Sequence, residues 1–178
     1  MKTDFVIIGG GMVGLSIANQ LIERKISEKI VVIDKEKELG LHSSGLNSGV
    51  LHSGVYYKPD SLKAKVCIPG SKRLKEWIKE KGLTINNCGK LIIPQRLDLD
   101  SQLDILFERG QQNGAVVEML DEQEIRRLVP NANITSGRGI WSPNTSVVNP
   151  LDIINRLADD VQKLDIKIIK GVKKWKLN

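Results

Sequence analysis

Cysteine and long apolar runs are the two things this sequence has least of. Two cysteines in 178 residues, Cys67 and Cys88, are too few for a disulfide framework. They share no metal-ligand spacing with each other or with the two histidines, so free thiols and no metal are expected. No stretch approaches the roughly eighteen apolar residues of a membrane-spanning helix. The start Met1-Lys2-Thr3-Asp4 lacks the apolar core of an export signal, because Asp4 falls where that core should begin. A cytoplasmic location, with at most peripheral membrane contact, is therefore expected. No nucleic-acid-binding motif, internal repeat or low-complexity tract is present.

What remains is an ordinary globular composition, 40% hydrophobic and 27% charged, in a chain long enough to bury a real core. The formal charge is +6, from 27 basic and 21 acidic residues. The lysines cluster at 63–81 and 163–176, interleaved with apolar residues at element spacing. That pattern reads as a solvated outer face, and no nucleic-acid partner is expected.

Phe5, Val6, Ile7 and Ile8 form a short apolar run that ends at glycines, as suits a strand buried on both faces. From Met12 to about Arg24, Val13, Ile17 and Leu21 recur every four positions and are joined by Ala18, which predicts a helix with that stripe buried. Residues 29–33 read as a second strand ending at Asp34. Strand, helix and strand within about thirty residues make a right-handed βαβ unit with parallel strands.

Residues 40–57 are rich in glycine, serine and asparagine, carry both histidines and show no helical period, so irregular structure is expected there. A helix over about 60–81 should break or kink near Pro69-Gly70 and end at Gly82. Strands are predicted at 91–93, 116–120, 139–141 and 146–148, and a helix over 99–112. Asp121 and Glu124 form a capping-box pattern. Asn149 followed by Pro150 starts a helix with Leu151, Ile154, Leu157, Ala158, Val161 and Leu164 on one face. A strand over 165–170 should rejoin the first sheet, and 171–177 should begin another. The fold class is thus α/β: a Rossmann-like parallel sheet over 1–83, a mixed α+β substrate-facing insertion over 84–148, and a return to the first domain over 149–178, incomplete at the C-terminus.

Three glycines at the spacing Gly9-x-Gly11-x-x-Gly14 are weak evidence alone. Here they follow a strand, open a helix and precede an acidic residue, Asp34, twenty positions after Gly14. That context is what the dinucleotide fingerprint requires. Gly9 permits the turn, Gly11 lets backbone approach a pyrophosphate, and Gly14 lets helix and strand pack closely. The helix N-terminus, at Met12 and Val13, offers N–H groups to the phosphates. Asp34 is suited to accept ribose hydroxyls and disfavours a 2′-phosphate, which argues against NADP. An NAD-binding half would continue with another helix and strand. The small residues of 40–57 instead let a ligand lie against backbone, which favours FAD.

At this segment the sequence resembles a known family. His42-Ser43-Ser44-Gly45-Leu46-Asn47-Ser48-Gly49-Val50-Leu51-His52-Ser53-Gly54-Val55-Tyr56-Tyr57, followed by Ser61-Leu62-Lys63-Ala64, looks like the signature of the L-2-hydroxyglutarate oxidases and dehydrogenases, within the D-amino-acid oxidase-like group of FAD enzymes. The likeness continues through Gly89-Lys90-Leu91 and Ile140-Trp141-Ser142-Pro143-Asn144-Thr145, so it covers essentially the whole chain. Asp34 departs from the pattern, since glutamate is commoner in the group. Members are more than twice as long, so the chain is expected to correspond to an N-terminal fragment.

The resemblance implies FAD as cofactor, oxidation of a small 2-hydroxy acid by hydride transfer to flavin N5, and oxygen or a quinone as electron acceptor. His52 is the candidate base; the alternative is a hydrogen bond to flavin or backbone. Lys35, His42, Ser43, Ser44, Asn47, Ser48 and Gly49 are candidate cofactor neighbours beside Gly9, Gly11, Met12, Val13, Gly14 and Asp34. Tyr56 and Tyr57 are candidates for a substrate carboxylate, with strand packing as the plainer alternative. Lys58 and Lys63 suit a solvated surface, and Trp141 suits a pocket or the core. Two other functions stay open: an amine or glycerol-3-phosphate oxidising flavoenzyme of the same group, and a non-catalytic remnant.

Overall fold

In the computed structural model, residues 2–174 are described. In chain order the elements are β1 (Phe5–Ile8), α1 (Met12–Glu23), β2 (Ile30–Ile33), β3 (Val50–Leu51), α2 (Leu62–Glu80), β4 (Ile85–Asn86), β5 (Lys90–Ile92), a 3-10 turn (Leu97–Leu99), α3 (Ser101–Gln112), β6 (Glu118–Asp121), α4 (Glu122–Leu128), β7 (Arg138–Ser142), β8 (Ser146–Val148), α5 (Pro150–Lys163) and β9 (Lys167–Ile169). They divide into two compact units, one running through Gly49 and resuming at Asn149, the other spanning Val50–Val148.

The first unit is a parallel sheet in the order β1-β2-β9, in register from Phe5↔Ile30 to Ile8↔Ile33 and from Val31↔Lys167 to Ile33↔Ile169. α5 starts as expected, with the Asn149 side chain accepting from Leu151 N–H at 3.1 Å and Pro150 in the first turn. The strand that follows it rejoins the sheet, also as expected. Leu15 and Ala18 of α1, Ile30 and Val32 of β2, and Ile154, Ala158 and Val161 of α5 close one apolar cluster with Ile166. The strand expected over 171–177 does not form through residue 174, and its remainder lies outside the described residues.

The buried face of α1 is not the expected one. Leu15 and Ala18 are fully buried, while Val13 is 72% and Ile17 46% exposed. A spacing of four residues advances about 40° past a full turn at each step. The Val13, Ile17, Leu21 line therefore spirals off the core, and of the three only Leu21 packs against it.

In the second unit, β5, β7 and β6 form an antiparallel sheet with β7 central, and β3 and β4 flank β8. The predicted capping box is present: Asp121 Oδ1 accepts from Glu124 N–H and Glu124 Oε2 accepts from Asp121 N–H, both at 2.9 Å. Arg138 donates to Asp100 and Asp104 at 2.5 to 3.2 Å and holds both carboxyls below the usual carboxylate range. α2 runs through Pro69 without the expected break.

The unit boundary also differs from the expectation, which placed it after residue 83. Residues 50–83 belong with the second unit because β3 pairs with β8, Val50 opposite Val147, and the Asn113 amide donates to the carbonyls of Gly54 and Tyr57 at 2.8 Å each. Backbone pairing with a distant strand decides membership, and nothing local in 50–83 announces it.

The α1 assignment predicts unequal truncations. Leu15→Ala should cost about 2–5 kcal/mol, whereas Val13→Ala should stay within about 0.5 kcal/mol. Chemical denaturation of the two variants would measure this, and equal losses would return Val13 to the core.

Candidate cofactor site

The chain leaves β1 at Gly9, whose φ of +104° a side chain would oppose, and Gly9 N–H donates to Ile33 O at 2.8 Å. α1 begins at once. A Cβ on Gly14 would stand 2.0 Å from Gly9 O and 3.2 Å from Ile7 Cγ2, so the close helix–strand packing inferred for this glycine is present. Gly11 has a different use: it is the N-cap of α1, and a Cβ there would meet Ser44 Oγ at 2.7 Å. Ser44 Oγ accepts from Met12 N–H at 3.1 Å, so a hydroxyl from the 40–57 loop caps the helix that Gly11 cannot cap itself.

Asp34 stands at the end of β2 and faces this turn. Its Oδ2 accepts from Gly10 N–H at 2.7 Å and its Oδ1 from Glu36 N–H at 2.8 Å. Each oxygen keeps acceptor capacity for a further donor. Beside it, His42 Nε2 lies 2.9 Å from Glu36 Oε1, and this hydrogen bond holds the Glu36 carboxyl below its ordinary value. Gly9, Gly11, Asp34, Lys35, Glu36, His42 and Ser44 are among the residues that line a cavity of about 430 Å³.

Other expected neighbours do not face that cavity. Asn47 braces its own loop, donating to the carbonyls of Ser43 and Ser44 at 3.0 and 2.8 Å and accepting from Gly49 N–H at 2.9 Å. Ser43, Ser48, Gly49 and the Met12 and Val13 side chains are absent from its lining; Met12 and Val13 instead border an apolar hollow of about 480 Å³ with Ile17 and Leu21. Sequence reasoning missed Gly10, whose N–H holds Asp34, and Glu36, whose carboxylate pairs with His42. The run Gly9-Gly10-Gly11 was the available signal for Gly10, because a Cβ there would meet Leu39 Cδ2 at 2.5 Å.

The second unit holds the candidate base. The half-buried His52 ring lies edge-on to Tyr56, with centroids 6.1 Å apart and planes at 90°. Lys90 Nζ stands 4.4 Å from the Tyr56 ring centroid. Burial, and then the Lys90 charge, push the His52 imidazole below its ordinary value. The segment is fixed through its backbone: Cys67 Sγ donates to His52 O at 3.3 Å and Arg109 to Tyr56 O at 3.2 Å. Ser53 Oγ lies 2.5 Å from Ser142 Oγ in a buried hydroxyl cluster with Thr145. Burial raises the Tyr57 hydroxyl, which keeps it protonated.

A βαβ glycine turn with an acid at the end of its second strand is the geometry of a dinucleotide-binding unit. The chain belongs to the FAD dependent oxidoreductase (DAO) family, whose sequence profile matches residues 4–177. It is 40% identical over 168 residues to the mitochondrial L-2-hydroxyglutarate dehydrogenase of Caenorhabditis elegans, covering 94% of this chain and 38% of that protein. It is 38% identical over 176 residues to the L-2-hydroxyglutarate dehydrogenase of Escherichia coli (strain K12), covering 98% of this chain and 41% of that protein. Among solved structures, the FAD-bound L-alpha-glycerophosphate oxidase of Mycoplasma pneumoniae superposes with a TM-score of 0.84 at 28% identity, covering 96% of this chain and 45% of that one. The chain thus spans about two fifths of the length of the curated relatives it matches. Among the described residues no helix is long and apolar enough to cross a membrane, and no group of three or more metal-ligating side chains is assembled.

The environment of His52 predicts its titration. Its NMR midpoint should fall below the ordinary 6.5, so the neutral ring favours folding above that pH and the contribution is lost as pH falls through the folded midpoint. A midpoint at or above 6.5 would contradict the desolvated, lysine-flanked setting.

Proposed function

We propose that this chain provides the nucleotide-binding turn and the candidate base of an enzyme that oxidises L-2-hydroxyglutarate to 2-oxoglutarate with FAD. The observation that carries the reading is the Gly9–Gly14 turn closed by Asp34 over the cavity. The residues present fit the ADP portion of the cofactor. Gly9, Gly10 and Gly11 keep side chains out of the turn, the α1 N-terminus favours phosphate oxygens, and the free acceptor capacity of Asp34 suits ribose hydroxyls. FAD, when bound, supplies the acceptor for the hydride that leaves C2 of the substrate. His52 takes the hydroxyl proton, a task suited to an imidazole kept neutral near pH 7. Oxygen or a quinone accepts the electrons afterwards.

The substrate assignment draws on the two L-2-hydroxyglutarate dehydrogenases reported above, and on the 42–57 segment that resembles their signature. A second reading, oxidation of glycerol 3-phosphate, is favoured by the likeness to the Mycoplasma pneumoniae oxidase. A cytoplasmic setting, in which Cys67 and Cys88 stay as thiols, fits either reading, although the C. elegans relative carries a mitochondrial name.

A visible spectrum of the purified chain tests the proposal. The wild type should carry flavin absorbance that bleaches with L-2-hydroxyglutarate and not with glycerol 3-phosphate. Asp34→Ala should weaken flavin retention by about tenfold or more, the scale of a lost charge-assisted hydrogen bond. A colourless wild type, or retention unchanged in the variant, would refute it; bleaching by glycerol 3-phosphate alone would select the second reading.

A further inference from the structure

Lys90 is the first residue of β5, opposite Ser142 of β7. Its position is fixed from behind. Gly89 N–H donates to Thr145 O at 3.0 Å, and a Cβ on Gly89 would overlap the Trp141 ring at 2.2 Å, so this glycine lets an indole lie against the backbone immediately before Lys90. In front, the ammonium rests over Tyr56, and the Tyr56 segment is itself tied down through the carbonyls of His52, Gly54, Tyr56 and Tyr57. The backbone on both sides of the contact is therefore held.

Lys90 is a half-buried residue whose ammonium has no carboxylate partner among the described residues. A ring face engages one side of the charge and leaves N–H donors for an anion. The same ring meets His52 edge-on, so Tyr56 touches both a cation and an imidazole. A cation and a base that meet one aromatic ring match a small molecule that carries a carboxylate a few bonds from a hydroxyl.

Resting on the reading of the chain as part of a 2-hydroxy acid oxidising enzyme, we propose that Lys90, braced on Tyr56, binds a carboxylate of the substrate while His52 serves its hydroxyl. Lys90 thereby becomes a specificity-determining residue, selecting carboxylic acids over neutral alcohols.

The test is a titration of the full chain with glutarate, which carries the carboxylates and cannot be oxidised at a hydroxyl, following the His52 ring signals by NMR. Glutarate should move them saturably, and neutral glutaramide should not. Lys90→Met should weaken glutarate binding by about tenfold or more, and Lys90→Arg should keep it within about threefold, which separates loss of charge from loss of fold. Unmoved His52 signals in the wild type, equal effects of glutaramide, or unchanged glutarate binding in Lys90→Met would overturn the assignment. The oxidation reading is tested apart from it, by flavin bleaching with L-2-hydroxyglutarate. Lys90-dependent glutarate binding without bleaching would sink that reading and leave a carboxylate site without the oxidation; bleaching with the same KM in wild type and Lys90→Met would keep that reading and overturn this assignment.

Discussion

The hydrogen bond from Gly10 N–H to the Asp34 carboxylate is the constraint on which the nucleotide-binding unit depends. It ties the turn after β1 to the end of β2, so the glycine loop and the acid cannot drift apart. The Asp34 backbone extends the tie, since its N–H donates to Ile169 O in β9 at 2.9 Å. One residue therefore registers all three strands and aims a carboxylate at the mouth of the α1 helix. The glycines are needed for this closeness: Gly10 and Gly14 each stand where a Cβ would overlap a neighbour. The capping of α1 by Ser44 draws the 42–47 segment into the same arrangement.

The second unit uses a different device. The 52–57 segment has little regular structure, and donors from α2, α3 and the α3 C-cap, which reach its carbonyls, hold it in place. Backbone acceptors shielded from water need partners, and here Cys67, Arg109 and Asn113 supply them. The result is a histidine whose carbonyl is held by Cys67 and whose ring meets Tyr56. Burial and the neighbouring ammonium then act in the same direction, both favouring the neutral imidazole.

Much of this was legible in the sequence where the cause is local. The glycine fingerprint, the Asp121 capping box and the Asn149-Pro150 start are short-range steric and hydrogen-bonding rules, and each appears at the residues that spell it. The buried face of α1 was misread because an every-four spacing resembles a stripe but spirals around the helix, leaving Val13 outside. The first unit ends earlier than composition suggested because β3 finds its partner, β8, far along the chain. Asn47 read as a ligand neighbour, yet its amide satisfies the loop backbone, a use that polarity alone does not distinguish. Lys90 stood in the sequence only within the Gly89-Lys90-Leu91 likeness, since only the fold brings Tyr56 beneath it.

The most direct measurement is a backbone NMR titration of the chain with ADP, the part of FAD that the glycine turn is suited to hold. Amide shifts concentrated at residues 9–14, 34–36 and 42–44 are the predicted result. Saturating ADP that leaves those amides in place, or that perturbs residues 50–148 instead, would contradict the cradle on which the functional reading stands.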